Sequence, residues 1–116
     1  MTSLRDEVYT AYRDWSSASA ALIEEAREVF PGGDTRMSAH FAPYPLFIER
    51  AEGPWLHDAD GHRLLDFMNN FTSLIHGHAN PDVVQAVQQQ VALGSAYAAP
   101  TRSQVALGRL IVERVP

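Results

Sequence analysis

All of the strand signal in this chain falls between Leu46 and Phe67, and that restricts the folds open to it. Leu46-Phe47-Ile48 is a short apolar run, followed by Glu49-Arg50-Ala51 and a turn at Glu52-Gly53-Pro54. Trp55-Leu56-His57 and Arg63-Leu64-Leu65-Asp66-Phe67 then flank Asp58-Ala59-Asp60-Gly61. Aspartate at the start of a tight turn, with glycine where positive φ is needed, makes this second unit a hairpin. A calcium loop is excluded, since it needs a third oxygen ligand before its glycine and a closing glutamate. The segments form an antiparallel meander of three short strands, a sheet too small to stand without cover on both faces.

Helical patterns lie on either side. Leu4, Val8, Tyr12, Trp15, Leu22, Ala26 and Val29 recur at steps of three and four or near multiples of them, which predicts an amphipathic N-terminal helix over the first 30 residues. Ser16-Ser17-Ala18-Ser19 weakens that pattern, and Ser16 or Ser17 could cap a second helix after a break. Pro31-Gly32-Gly33 stops it, and the segment to Pro45 has no period. Met68 to Ala79 reads as a second irregular stretch. Asn80-Pro81-Asp82 then opens a helix, with Asn80 as N-cap, Pro81 at the first helical position and Gly94 as the stop. Val83, Val84, Val87 and Val91 form its apolar face. Thr101 with Gln104 gives a capping-box pattern for a third helix bearing Val105, Leu107, Leu110, Ile111 and Val112. Helix, meander, helix, helix is a thin inventory, and it reads as part of a larger fold.

The totals narrow the chemistry. The 116 residues suffice for one domain at most. Hydrophobic content of 46% with 20% charged residues suits a globular chain, and the net charge of −5 argues against a nucleic-acid surface. No apolar run approaches the roughly 18 residues of a membrane span, and the first residues carry no apolar signal core, so a cytoplasmic protein is expected. There is no cysteine, which removes disulfides, thiolate nucleophiles and Cys-based zinc sites. All nine basic residues are arginines, so a lysine Schiff base cannot come from this chain.

The common catalytic motifs are missing: no G-x-x-x-x-G-K-[ST], no G-x-G-x-x-G and no G-x-S-x-G. His76-Gly77-His78, with His57 and His62, lacks the spacing of a metal site, and no metal is expected. Two residues stand out. Arg36 lies in "FPGGDTRMSAHFAPYPLF", between a Gly-Gly pair and two prolines. Its planar guanidinium matches a carboxylate in bidentate fashion, yet charged loop residues are mostly solvated, and residue chemistry alone leaves both readings open. Phe71 is an aromatic residue among polar neighbours, readable either as core packing or as the wall of a pocket.

Four stretches taken together carry a resemblance. "FPGG", "PLFIERAEGPWLHDADGHRLLDF", "GHANPDVVQAV" and "GSAYAAPT", in this order and spacing, resemble the N-terminal quarter of class III pyridoxal-phosphate aminotransferases. The branch resembled is that of glutamate-1-semialdehyde aminomutases and β-amino-acid transaminases, over about Val29 to Pro116. The resemblance implies an α+β piece of a fold type I enzyme, usually a homodimer. In it, residues 1–30 are a helical arm, 31–45 a substrate-side loop and 46–67 the β-meander of the small domain. Residues 68–116 would lead into the large domain that binds pyridoxal phosphate.

In β-amino-acid transaminase-like members, the loop after "PG" holds an arginine that binds the substrate carboxylate, and Asp34-Thr35-Arg36 occupies that place. An aromatic residue six positions before the glycine of "GH" lines the substrate pocket, and Phe71 stands there. The aminomutase branch typically has "NSPVRAF" after the glycines and tryptophan at the aromatic position, and this chain departs from both. The cofactor's lysine, its pyridine-facing aspartate and its phosphate cup lie beyond the position matching Pro116. The chain by itself is therefore expected to be inactive. The expected activity of the parent is amino-group transfer between a β-amino acid or similar amine and a keto acid. The alternatives are the aminomutase reaction or a non-catalytic packing and dimerisation module.

Overall fold

The computed structural model describes residues 2–35 and 40–115. Two compact units divide at Asn80/Pro81. The first opens with α1, Leu4–Trp15, and α2, Ser17–Val29. A capping box at Ser3 and Asp6 starts α1. The break falls at Ser16, but no serine hydroxyl caps α2. Ser16 Oγ instead donates back to the Tyr12 carbonyl (2.6 Å), and the capping group arrives from the hairpin forty residues later. A 3-10 turn, Pro31–Gly33, closes α2.

Strands β1 (Ile48–Glu52), β2 (Trp55–Asp58) and β3 (Arg63–Leu65) pair in the order β1-β2-β3, antiparallel throughout. The meander is shorter than its sequence suggests. Leu46 and Phe47 precede β1, Glu52 belongs to the strand rather than the turn, and β3 ends before Asp66. Past the end of β3 the Asp66 amide still donates across to the Pro54 carbonyl (2.8 Å), while its carboxylate serves the next turn of chain. The β1-β2 register slips between Ile48 and Arg50. Trp55 pairs with Leu65 and His57 with Arg63, so the Arg63 guanidinium reaches diagonally over the Trp55 ring, 3.8 Å from its centroid.

The core of this unit is small and largely polar. Ile23 and Tyr44 are its buried hydrophobic residues, beside Ser16, Ser19 and Asp58. Ile23 sits beneath the 3-10 turn, where a Cβ on Gly33 (φ +78°) would lie 2.9 Å from its Cδ1, so the turn packs onto α2 only with glycine there. Tyr12 brackets Tyr44, with ring centroids 5.1 Å apart and its hydroxyl donating to the Tyr44 carbonyl (3.0 Å). Only part of the α1 stripe is thereby used. Tyr12 is half-buried, while Leu4 and Val8 remain exposed.

Asp60 joins the arm to the meander. Its carboxylate accepts from the amides of Ala18 (2.6 Å) and Ser19 (3.1 Å) and from the Ser19 hydroxyl (2.8 Å), capping α2 from a distant loop. Burial opposes ionisation of Asp60, but the bonds from Ser19 and Ala18 and the nearby His62 outweigh it and hold its carboxyl below the ordinary value. Asp58, buried beneath, accepts from the amides of Asp60 (3.1 Å) and His62 (2.7 Å) and from His62 Nδ1 (2.8 Å). The His62 ring in turn stacks on Trp15 at 3.9 Å.

The second unit contains helices Pro81–Val91 and Arg102–Arg114. The latter starts with the capping box of Thr101 and Gln104. Gly94 at φ +104° follows the end of the former, with its amide donating to the Val91 carbonyl (3.0 Å). None of the described residues from 81 onward is buried. Among the described residues, no helix is long and apolar enough to cross a membrane.

Candidate substrate-side site

The stretch after β3, expected to be irregular, contains an ordered turn. Asn69, Asn70, Phe71 and Thr72 have φ of 49°, 47°, 57° and 67°, a single left-handed helical turn built without glycine. Each such residue costs on the order of 1–2 kcal/mol through Cβ–carbonyl crowding, and Thr72, being β-branched, is especially unfavourable. Such a conformation persists only where its surroundings over-determine it.

Those surroundings are visible. Asp66 Oδ1 accepts from the amides of Met68 (2.8 Å) and Asn69 (2.9 Å) at the entry to the turn. Asp66 Oδ2 accepts from His78 Nε2 (2.7 Å) at the far side. The His78 hydrogen bond and the Asn69 amide lead in lowering the Asp66 carboxyl below its ordinary value, against the opposing effect of burial. Within the turn, Ser73 Oγ donates to the Asn70 carbonyl (2.9 Å), and the Thr72 amide to the Met68 carbonyl (3.2 Å). Gly53 and His78 exchange two backbone hydrogen bonds of 2.8 Å, tying the far end to the β1-β2 turn. Gly77 permits this approach, because a Cβ there would lie 2.9 Å from the Gly53 carbonyl oxygen. Phe71 stands on the braced turn with 56% of its surface exposed.

Arg36 lies outside the described residues. The chain on its N-terminal side is fixed by the 3-10 turn, and Asp34 and Thr35 border a cleft with Ala26, Phe30 and Phe47. Of the histidines, His62 and His78 are engaged by Asp58 and Asp66, and His57 Nδ1 lies 3.1 Å from Arg50. Among the described residues no three His, Asp or Glu side chains are grouped to hold a metal. The donor set does not fit the covalent anchor of pyridoxal phosphate, since the chain contains no lysine side chain. Sequence reasoning missed the tasks of Asp60 and Asp66. Asp60 reads only as a turn residue and Asp66 only as part of a strand, which does not reveal partners 41 residues and 12 residues away.

Comparison with known proteins places these features in a family. The description "Aminotransferase class-III" matches residues 37–116. A glutamate-1-semialdehyde 2,1-aminomutase of Desulfotalea psychrophila is 45% identical over 104 residues, which cover 87% of this chain and 24% of the aminomutase. Among solved structures, an omega-transaminase from Sphaerobacter thermophilus is 52% identical with a TM-score of 0.85, over 90% of this chain and 24% of its own. A beta-phenylalanine aminotransferase from Variovorax paradoxus is 35% identical with a TM-score of 0.87, over 93% of this chain and 25% of its own. The chain thus spans about a quarter of the length of the proteins it matches.

Proposed function

This chain belongs to the class-III aminotransferases, and on that premise we propose that it forms the substrate-side N-terminal segment of an enzyme moving an amino group between a β-amino acid or similar amine and a keto acid. Its helices and three-stranded meander are the N-terminal piece of the fold type I architecture of those enzymes. In the proposed enzyme, pyridoxal phosphate supplies the electron sink for amine chemistry, and residues outside these 116 hold it. The segment contributes recognition. Arg36 grips the substrate carboxylate through its planar fork of donors, and Phe71 walls the pocket against the substrate's side chain. Residues 31–45 are the substrate-side loop, and the assembly is a homodimer.

The observation that carries this reading is the left-handed turn. An aromatic ring fixed on a strained and heavily braced loop suits a binding wall, which needs one set orientation. The likeness to a beta-phenylalanine aminotransferase adds support for a β-amino acid. In the full-length enzyme, Arg36→Ala is expected to raise KM for carboxylate-bearing amino acids about ten- to a hundredfold, the worth of a charge-assisted hydrogen-bonding pair. Amines without a carboxylate should be little affected, and equal effects on both classes would remove Arg36 from the role.

A second reading is the aminomutase reaction, favoured by the 45% identity to a glutamate-1-semialdehyde 2,1-aminomutase. Supplying that semialdehyde and, separately, a β-amino acid with a keto-acid acceptor to the purified enzyme separates the two. Turnover of the semialdehyde alone would decide for the aminomutase.

A further inference from the structure

One carboxylate ties the entry of the left-handed turn to the chain segment that follows it. Asp66 Oδ1 takes the amides of Met68 and Asn69, at 2.8 and 2.9 Å, just ahead of the four residues with positive φ. Its Oδ2 takes His78 Nε2 at 2.7 Å, seven residues past Phe71. His78 is itself a fixed post, because its backbone exchanges two hydrogen bonds with Gly53 that do not involve Asp66. The carboxylate is therefore aimed from one side by the imidazole and holds the amides with the other oxygen. Without that hold, Phe71 and Thr72, which lack the tolerance of the two asparagines for positive φ, have a strong local preference to return to right-handed or extended backbone. Such a return would redirect the Phe71 ring.

The geometry points to Asp66 and His78 as positioning residues for Phe71, which together set the size and aromatic character of the substrate side chain accepted at that wall. The inference rests on the reading of Phe71 as a pocket wall given above. Both residues act through the backbone of the turn. Their effect falls on discrimination between substrates, because a displaced ring changes contact with a bulky aryl group far more than with a short alkyl group.

The test compares kcat/KM for an aryl-substituted and a short alkyl β-amino acid in the holoenzyme, with Phe71→Ala, Asp66→Ala, Asp66→Asn and His78→Gln. Asp66→Ala is expected to shift the aryl-to-alkyl ratio in the same direction as Phe71→Ala, about tenfold or more and mainly through KM. Adding it to Phe71→Ala should produce little further shift, as expected for residues acting as a unit. His78→Gln, which retains a donor for Asp66, should keep most of the wild-type ratio. If Asp66→Ala does not fold, Asp66→Asn serves in its place: it keeps one acceptor oxygen and loses the charged pairing, and a partial shift is expected. An equal fall for both substrates would assign Asp66 a purely structural role and overturn the inference. So would an unchanged ratio in Asp66 variants alongside a shifted ratio in Phe71→Ala, which leaves the wall reading intact. An unchanged ratio in Phe71→Ala itself would sink both.

Discussion

The unit ending at Asn80 and the two helices after Pro81 use their side chains in opposite ways. In the first, Ile23, Ser16, Ser19 and Asp58 are buried, and two aspartates, Asp60 and Asp66, clamp segments distant in sequence. In the second, Val87 is 54% and Leu110 50% exposed, and none of the described residues is buried. Both helices of the second unit are nonetheless well formed, one of them with a complete capping box. Amphipathic pattern and caps mark where these helices begin and end, whereas most of a helix's stability comes from packing its apolar face on a partner surface. Polar tethers do the organising where the apolar core is small.

Four measurements test that contrast, the largest effect first. Ile23→Ala should destabilise the first unit by about 3 kcal/mol, the usual loss for truncating a buried aliphatic side chain, read by urea unfolding with α2 amide exchange as the local probe. A loss under about 1 kcal/mol would mean that the polar tethers alone hold the arm. Asp60→Ala should cost about 2 kcal/mol, because it removes the cap of α2 and leaves the Ala18 and Ser19 donors without it.

The same tether gives a pH signature. The folded carboxyls of Asp60 and Asp66 lie below their ordinary value of 3.8, so their stabilisation is complete above that pH. It fades as pH falls through the depressed folded values, and Asp60→Asn should flatten the acid limb of the unfolding midpoint. Val87→Ala, in the uncovered helix, should change the stability of the isolated chain by less than about 0.5 kcal/mol. A larger loss would show that the valine face is covered in solution.

Much of this architecture could be read from the chain. The hairpin at Asp58–Gly61, the break near Ser16, the Thr101 cap and the class-III resemblance all rest on local residue chemistry, and the structure contains each element. The strand limits were less legible, because Leu46, Phe47 and Phe67 have strand-forming side chains but fall outside the paired register, Phe47 keeping a single backbone bond from the Ala59 amide (2.8 Å). The left-handed turn could not be foreseen. "NNFT" has asparagines that tolerate positive φ, but Phe71 and Thr72 disfavour it, and the Asp66–His78 clamp with the bonds inside the turn overrides them.

The sequence by itself determined the helices, the meander, the absence of a lysine amine and the family. Those follow from periodicity, turn chemistry, composition and motif register, all properties of residues close together along the chain. Tertiary structure alone decided that Asp60 caps α2, that Asp66 and His78 brace the turn under Phe71, and that Tyr12 of the helical arm packs against Tyr44. Each depends on groups far apart in sequence coming within hydrogen-bond reach or van der Waals contact, a condition set by the path of the backbone and not by any one segment's preferences.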